Sequence, residues 1–238
     1  TIKARGKEIK DFQYTIQSSP YDCVECELCV AICPTNSLEM TPGSGTDEAL
    51  DYAKQENDKF IYFTDKIPNR GNIVKDKYSV KGSQFQLPQI EFPGSCQGCN
   101  ETMVTKILTQ LFGKRMLIAN ASGCSSVWGG SFSKVPFVAD EQGRGPAWAR
   151  SLFEDNAEFG YGMAIGLQMR RAELLNDVKA ILDDKELVNS LPSQFVQHLS
   201  KWRDNYLEGD LTLELAPLIM DDLEKLRHNN RLDIIQGK

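Results

Sequence analysis

The stretch Cys96-Gln97-Gly98-Cys99-Asn100-Glu101, continued by Val104, Ile107, Leu108 and Leu111 and closed by Gly113, decides how most of this chain is read. Apolar residues at that spacing mark one face of a helix. Asn100 suits an N-cap. Glu101 puts a carboxylate in the first turn, where the helix dipole favours it. Gly113 stops the helix. A strand is predicted over Arg115 to Asn120, then the loop Ala121-Ser122-Gly123-Cys124. The helix is about 18 Å long at about 1.5 Å per residue. The strand covers about 20 Å at about 3.3 Å per residue. The return therefore carries Cys124 back to the end where the helix began. Cys96, Cys99, Glu101 and Cys124 are expected on one rim of an α/β sheet, at the carboxyl end of its strands, where open α/β folds bind ligands.

Upstream stands Cys23-Val24-Glu25-Cys26-Glu27-Leu28-Cys29-Val30-Ala31-Ile32-Cys33-Pro34. This is the C-x2-C-x2-C-x3-C-P spacing of bacterial-type ferredoxins. Three thiolates at three-residue intervals can wrap three iron corners of one cubane. Pro34 turns the chain after the fourth, since it fixes φ and has no N–H to donate. A zinc knuckle or four buried thiols are the alternatives, but zinc prefers two separated pairs. In two-cluster ferredoxins the fourth cysteine ligates the other cluster. Cys33 would then serve a second cluster, with its companion motif expected before Thr1; a single-cluster site is the other possibility. Cys96, Cys99 and Cys124 form an incomplete set, open to zinc, to a redox pair with a bystander, or to a second cubane lacking one ligand. The ferredoxin motif nearby favours the cubane.

The chain has 238 residues, 41% hydrophobic and 25% charged, with a net charge of −6 from 27 basic and 33 acidic residues. That is globular composition. No apolar run approaches the roughly 20 residues of a spanning helix. An acidic chain with 2 His and no basic block is a poor nucleic-acid binder. Seven cysteines, an odd number without a secretion signal, argue against a disulfide framework. His198 and His228 are read as surface residues.

Residues 1–20 are read as a strand or arm, and Ser37 to Met40 as a short strand. Thr41-Pro42-Gly43-Ser44-Gly45 marks a boundary by its turn chemistry. The divisions are 1–45 for the cluster segment, 46–84 for a connecting arm with a short strand at Phe60 to Phe63, and 85–238 for an α/β domain. Ser125 to Gly130 and Gly143 to Gly160 are read as irregular, close-packed loops, with Trp128 and Trp148 either functional or packing residues. Three helices follow. The first spans 161–184 with Ala164, Leu167, Leu174, Val178 and Leu182 on one face. The second carries Phe195, Leu199, Trp202 and Tyr206 and is stopped by Gly209. The third starts at Pro217 with Ile219, Leu223 and Leu226. These stripes are assigned to core packing. A last strand is expected from Leu232 to Ile235.

Lys81-Gly82-Ser83-Gln84-Phe85, Gly94 to Thr102, Leu108 to Gly113, Ala119 to Gly130, and Gly143 to Trp148 through Asn156 to Gly160 closely resemble the pyruvate:ferredoxin (flavodoxin) oxidoreductase family. The resemblance runs from about Pro20 to Gly160. Beyond Met169 only the helical pattern matches. It implies an α/β fold class: part of a thiamine-diphosphate-binding α/β domain preceded by half of a two-cluster ferredoxin-like α+β module. It implies oxidative decarboxylation of pyruvate with coenzyme A, electrons leaving singly through 4Fe-4S clusters to ferredoxin or flavodoxin. By resemblance, Cys23, Cys26 and Cys29 hold one cluster and Cys33 pairs with the other. Cys96, Cys99 and Cys124 hold the cluster nearest thiamine diphosphate. Glu101, Gly123 and Cys124 match residues that touch that cofactor, Glu101 in a catalytic place. The fourth cysteine and the magnesium motif of the family would lie past Lys238, so this chain alone is expected to be inactive. The resemblance further implies the remaining parts of the same enzyme as partners, a homodimer, no nucleic acid, no membrane, and a cytoplasmic or hydrogenosome-like location. The alternatives are a non-enzymatic iron–sulfur electron carrier, the same chemistry on another 2-oxo acid, or another acceptor such as a fused flavoprotein.

Overall fold

The computed structural model describes residues 1–40, 46–131, 135–226 and Leu232. The chain is mixed helical with two small sheets, compatible with an α/β class. It divides into two compact units, Thr1–Ala157 and Glu158–Lys238. Among the described residues no helix is long and apolar enough to cross a membrane.

The first unit opens with an antiparallel pair, β1 (Ile2–Lys3) and β2 (Gln13–Tyr14), in register Ile2 to Tyr14 and Lys3 to Gln13. The cysteine run follows as open chain with one helical turn, α1 (Leu28–Ala31). The strand expected at Ser37 to Met40 does not form. The Ser37 amide donates instead to Cys33 Sγ at 3.3 Å, which diverts it from any ladder. The turn at 41–45 lies outside the described residues.

The expected arm and its strand at Phe60 to Phe63 are a single helix, α2 (Asp47–Lys66). Capping explains the outcome. Thr46 Oγ1 accepts from the Ala49 amide at 3.2 Å, Asp47 and Glu48 sit at the positive end, and Lys66 sits at the negative end. A run of four β-prone residues cannot outweigh sixteen flanking positions rich in Ala, Leu, Lys, Glu and Gln. Phe60 meets Phe92 edge-on at 6.2 Å, and Gln17 Nε2 donates to Glu56 at 2.9 Å, so the helix is tied to the loops beside both cysteine runs. In α3 (Val80–Phe85), Gly82 must be glycine, because a Cβ there would stand 1.9 Å from the Asp76 carbonyl oxygen.

Helix α4 (Asn100–Phe112) ends against Gly113 as expected, but its N-cap is Cys99 rather than Asn100, with no side-chain cap bond. The strand is shorter than predicted: β3 covers Leu117–Asn120. A single turn, α5 (Cys124–Ser126), runs into a π-helical turn at Val127–Ser131. The stretch read as irregular contains β4 (Ala147–Arg150), parallel to β3 in register Leu117 to Ala147 through Asn120 to Arg150. Its four residues carry no alternation of their own. They become a strand because β3 offers an edge.

Helix α6 begins at Asn156, in the last residues of the first unit, and runs to Asp183, so residues 156–160 are helical rather than loop. Helices α7 (Lys185–Ser190), α8 (Ser193–Asp204) and α9 (Gly209–Lys225) follow. Gly209 thus opens α9 instead of closing α8, and Pro217 lies inside α9 rather than at its start. Proline there removes one amide donor, which the surrounding turns tolerate. The core gathers Val178, Ile181, Leu187, Leu191, Phe195, Leu199, Trp202, Leu215 and Leu232. Leu174, Leu182, Tyr206, Ile219, Leu223 and Leu226 pack against it, as the helical stripes predict. Ala164 and Leu167, expected in the same stripe, are exposed. Of the strand expected from Leu232 to Ile235, Leu232 is described, buried in the core, and the rest lies outside the described residues.

Candidate functional site

All seven cysteines are free. Cys23, Cys29, Cys96 and Cys124 are exposed, and Cys26, Cys33 and Cys99 are partly buried. Glu25 and Glu27, on either side of Cys26, hold φ at 53° and 61°. Side-chain-bearing residues adopt that conformation only when something holds them there, and the strain collects at binding sites. Left-handed residues alternating with ordinary ones are the backbone pattern that can present successive amides to an anion or an iron–sulfur centre. The amides of residues 24–27 make no hydrogen bond to another described residue. This backbone fits an anionic, thiolate-bound cluster.

Cys33 sits at the end of this loop. Its thiol is pushed down to about 7, first by the Ser37 backbone N–H and then by the amide and hydroxyl of Thr35. Cys99, at the N-terminus of α4, is lowered chiefly by the backbone N–H of Thr102; burial and the charge of Glu101 oppose this. Both effects favour the thiolate, the form that binds metal.

The two cysteine loops touch. Gly98 (φ 68°) lies between Cys96 and Cys99, and a Cβ there would stand 3.4 Å from Cδ1 of Leu28, which lies between Cys26 and Cys29. The rim expected from the helix–strand return forms in part. Trp128, four residues past Cys124, donates from Nε1 to Glu101 Oε2 at 3.2 Å. The start of α4 and the turn after β3 are therefore tied together. Trp128 is buried and packs on Phe137 at 6.2 Å, so it is a packing residue that also fixes a carboxylate. Trp148 is a packing residue: its ring fills the space a Cβ on Gly130 would need, at 2.4 Å.

Sequence reasoning missed Asn120. It ends β3, is 8% exposed, accepts from Ser125 Oγ at 2.5 Å, and leaves its Nδ2 without a partner among the described residues. A buried unpaired donor at the carboxyl end of parallel strands suits a ligand that accepts hydrogen bonds. The polar residue closing a predicted strand was the available signal.

Among the described residues, no three Cys, His, Asp or Glu side chains stand close enough to grip a single metal ion. Zinc would gather its thiolates about 2.3 Å from one centre. A cubane spreads them over separate iron corners and needs no such cage. His198 is not a surface residue: it is mostly buried, with Nδ1 2.8 Å from Asp222 Oδ2 between α8 and α9. His228 lies outside the described residues.

No protein-family model matches the chain. Among curated proteins it is 41% identical over 232 residues to the mitochondrial pyruvate dehydrogenase (NADP+) of Euglena gracilis, covering 98% of this chain and 12% of that protein. It is 41% identical over 219 residues to the pyruvate-flavodoxin oxidoreductase of Enterobacter agglomerans, covering 91% of this chain and 18% of that protein. The pyruvate:ferredoxin oxidoreductase of Moorella thermoacetica is 45% identical over 185 residues, 77% of this chain and 15% of its own length. The chain is homologous to a segment of the pyruvate:ferredoxin/flavodoxin oxidoreductases. It spans 12% to 18% of the length of these three relatives. The match to the first covers nearly the whole chain, so both cysteine loops and the Glu101–Trp128 pair fall within the oxidoreductase homology.

Proposed function

We propose that these residues are the electron-handling segment of an oxidoreductase that converts pyruvate and coenzyme A to acetyl-CoA and carbon dioxide and delivers electrons to ferredoxin or flavodoxin. The observation that carries the reading is the contact of two cysteine-bearing loops, one of them tied through α4 to the Glu101–Trp128 pair. The names of the relatives supply pyruvate and the acceptors. Two relatives named for NADP+ leave room for a different terminal acceptor.

The clusters supply one-electron storage and thiamine diphosphate supplies an electron sink at the substrate carbon. This chain's own residues do the holding. Cys23, Cys26 and Cys29 bind one 4Fe-4S cluster, and Cys33 gives its sulfur to a second. Cys96, Cys99 and Cys124 bind the cluster nearest thiamine diphosphate. Trp128 fixes the Glu101 carboxylate, which faces that cofactor together with Gly123 and Cys124. Magnesium takes its ligands from outside residues 1–238. The finer fold assignment follows: residues 1–45 form a ferredoxin-like part, 46–84 a connector and 85–238 part of a thiamine-binding α/β domain. A homodimer, further parts of the same enzyme, and a cytoplasmic or organellar location belong to the same proposal.

The second reading is a non-enzymatic electron carrier. Binding of thiamine diphosphate by the full-length protein separates the two. Saturable binding that Glu101→Gln weakens supports the enzyme. Iron–sulfur clusters without such binding support the carrier.

A further inference from the structure

The turn after Pro34 is built round one sulfur. The Asn36 amide donates to the Cys33 carbonyl at 3.2 Å, and Asn36 takes φ 48°, which curls the chain back on itself. The Ser37 amide then lies 3.3 Å from Cys33 Sγ, and the Thr35 hydroxyl lies 3.7 Å from the same sulfur. Thr35 Oγ1 is also 2.8 Å from Ser37 Oγ, a hydroxyl that can donate to it when Thr35 turns its own proton to the sulfur. A metal-bound thiolate has no proton to give, and Thr35 must then be the donor.

Given the cluster assignment proposed above, we infer that Thr35 is a redox-tuning residue: its hydroxyl, with the Ser37 amide, raises the reduction potential of the one cluster that Cys33 ligates. The reason is electrostatic. The cluster takes up one electron with no bond made or broken, and the added negative charge falls partly on the cysteine sulfurs. Donors aimed at a sulfur stabilise the reduced state and lift the potential. Two such donors face Cys33, so its cluster is held at a higher potential than the same thiolate would give without them.

The test is a dithionite titration, followed by electron paramagnetic resonance, of the oxygen-free full-length protein carrying these residues. Thr35→Val keeps the shape and removes the hydroxyl. One cluster should move to a more negative potential, the others should stay, and iron content should not change. Thr35→Ser should restore the original value. A Thr35→Val protein with full iron and unmoved potentials overturns the inference. Should that variant lose iron, the unaltered protein in heavy water still decides: an exchangeable proton coupled to the reduced cluster is required, and its absence overturns the inference. An unaltered protein without iron would instead remove the cluster assignment itself.

Discussion

Leu28 and Gly98 meet where the two cysteine loops touch, 3.4 Å from Leu28 Cδ1 to the position a Cβ on Gly98 would take. Each directly precedes a cysteine, Cys29 and Cys99. At φ 68°, Gly98 also holds a backbone conformation that costs a side-chain-bearing residue about 1–3 kcal/mol. Gly98→Val adds crowding against Leu28 to that strain. Its expected result is lower iron retention, read as iron per chain after anaerobic gel filtration, with a milder loss in Gly98→Ala. Equal retention in both variants would remove the contact from the account.

Cys99→Ala in the full-length enzyme should delete one cluster and leave the others. Spin quantitation of the reduced protein reads the number directly. Unchanged signals and unchanged transfer to ferredoxin would show that Cys99 is no ligand.

The Glu101–Trp128 bond gives a paired prediction. Trp128→Phe keeps the packing on Phe137 and removes the indole N–H. It should weaken thiamine diphosphate binding several-fold, as should Glu101→Gln, and the double variant should lose little more than either alone. Additive losses in the Kd from fluorescence quenching would mean the two residues act separately.

Asp140 tests the scaffold behind the rim. Its side chain is 5% exposed and accepts from the Gln142 and Arg144 amides at 3.0 and 2.9 Å and from the Arg144 guanidinium at 2.9 Å. Burial pushes its carboxyl up, but the Arg144 amide and guanidinium outweigh that and hold it below the ordinary value. A depressed folded value contributes stability above the unfolded value, near 3.9, that is lost as pH falls through the folded one. Asp140→Asn should cost about 1–3 kcal/mol at neutral pH. Its unfolding midpoint in urea should approach that of the unaltered protein as the solution is acidified below about pH 4. A constant gap between the two across pH would contradict the assignment.

What the sequence made legible was set by how strongly each feature stands alone. The cysteine spacings, the α4 stripe and the Phe195–Leu199–Trp202 stripe carry their own pattern. β4 does not, since four residues gain strand character only from the parallel edge of β3. α2 has no buried residue, so no apolar stripe announced it, and its signal lay in Thr46 and the acidic first turn. Pro217 and Gly209 were misplaced because local punctuation yielded to the packing of α9 on α8. His198 looked like a surface residue because its partner, Asp222, is 24 positions away. The rim joining Glu101 to the Cys124 turn was expected from length arithmetic. The residue that ties it, Trp128, was visible only as one of two ambiguous tryptophans.

Everything rests on sulfur binding iron at two neighbouring loops. X-ray absorption at the iron and zinc edges of the protein purified without oxygen tests this most directly. The account predicts an iron edge with sulfur neighbours and short iron–iron scattering, accompanied by inorganic sulfide in amounts equal to iron. A zinc edge in place of iron, or no metal at these cysteines, would contradict it.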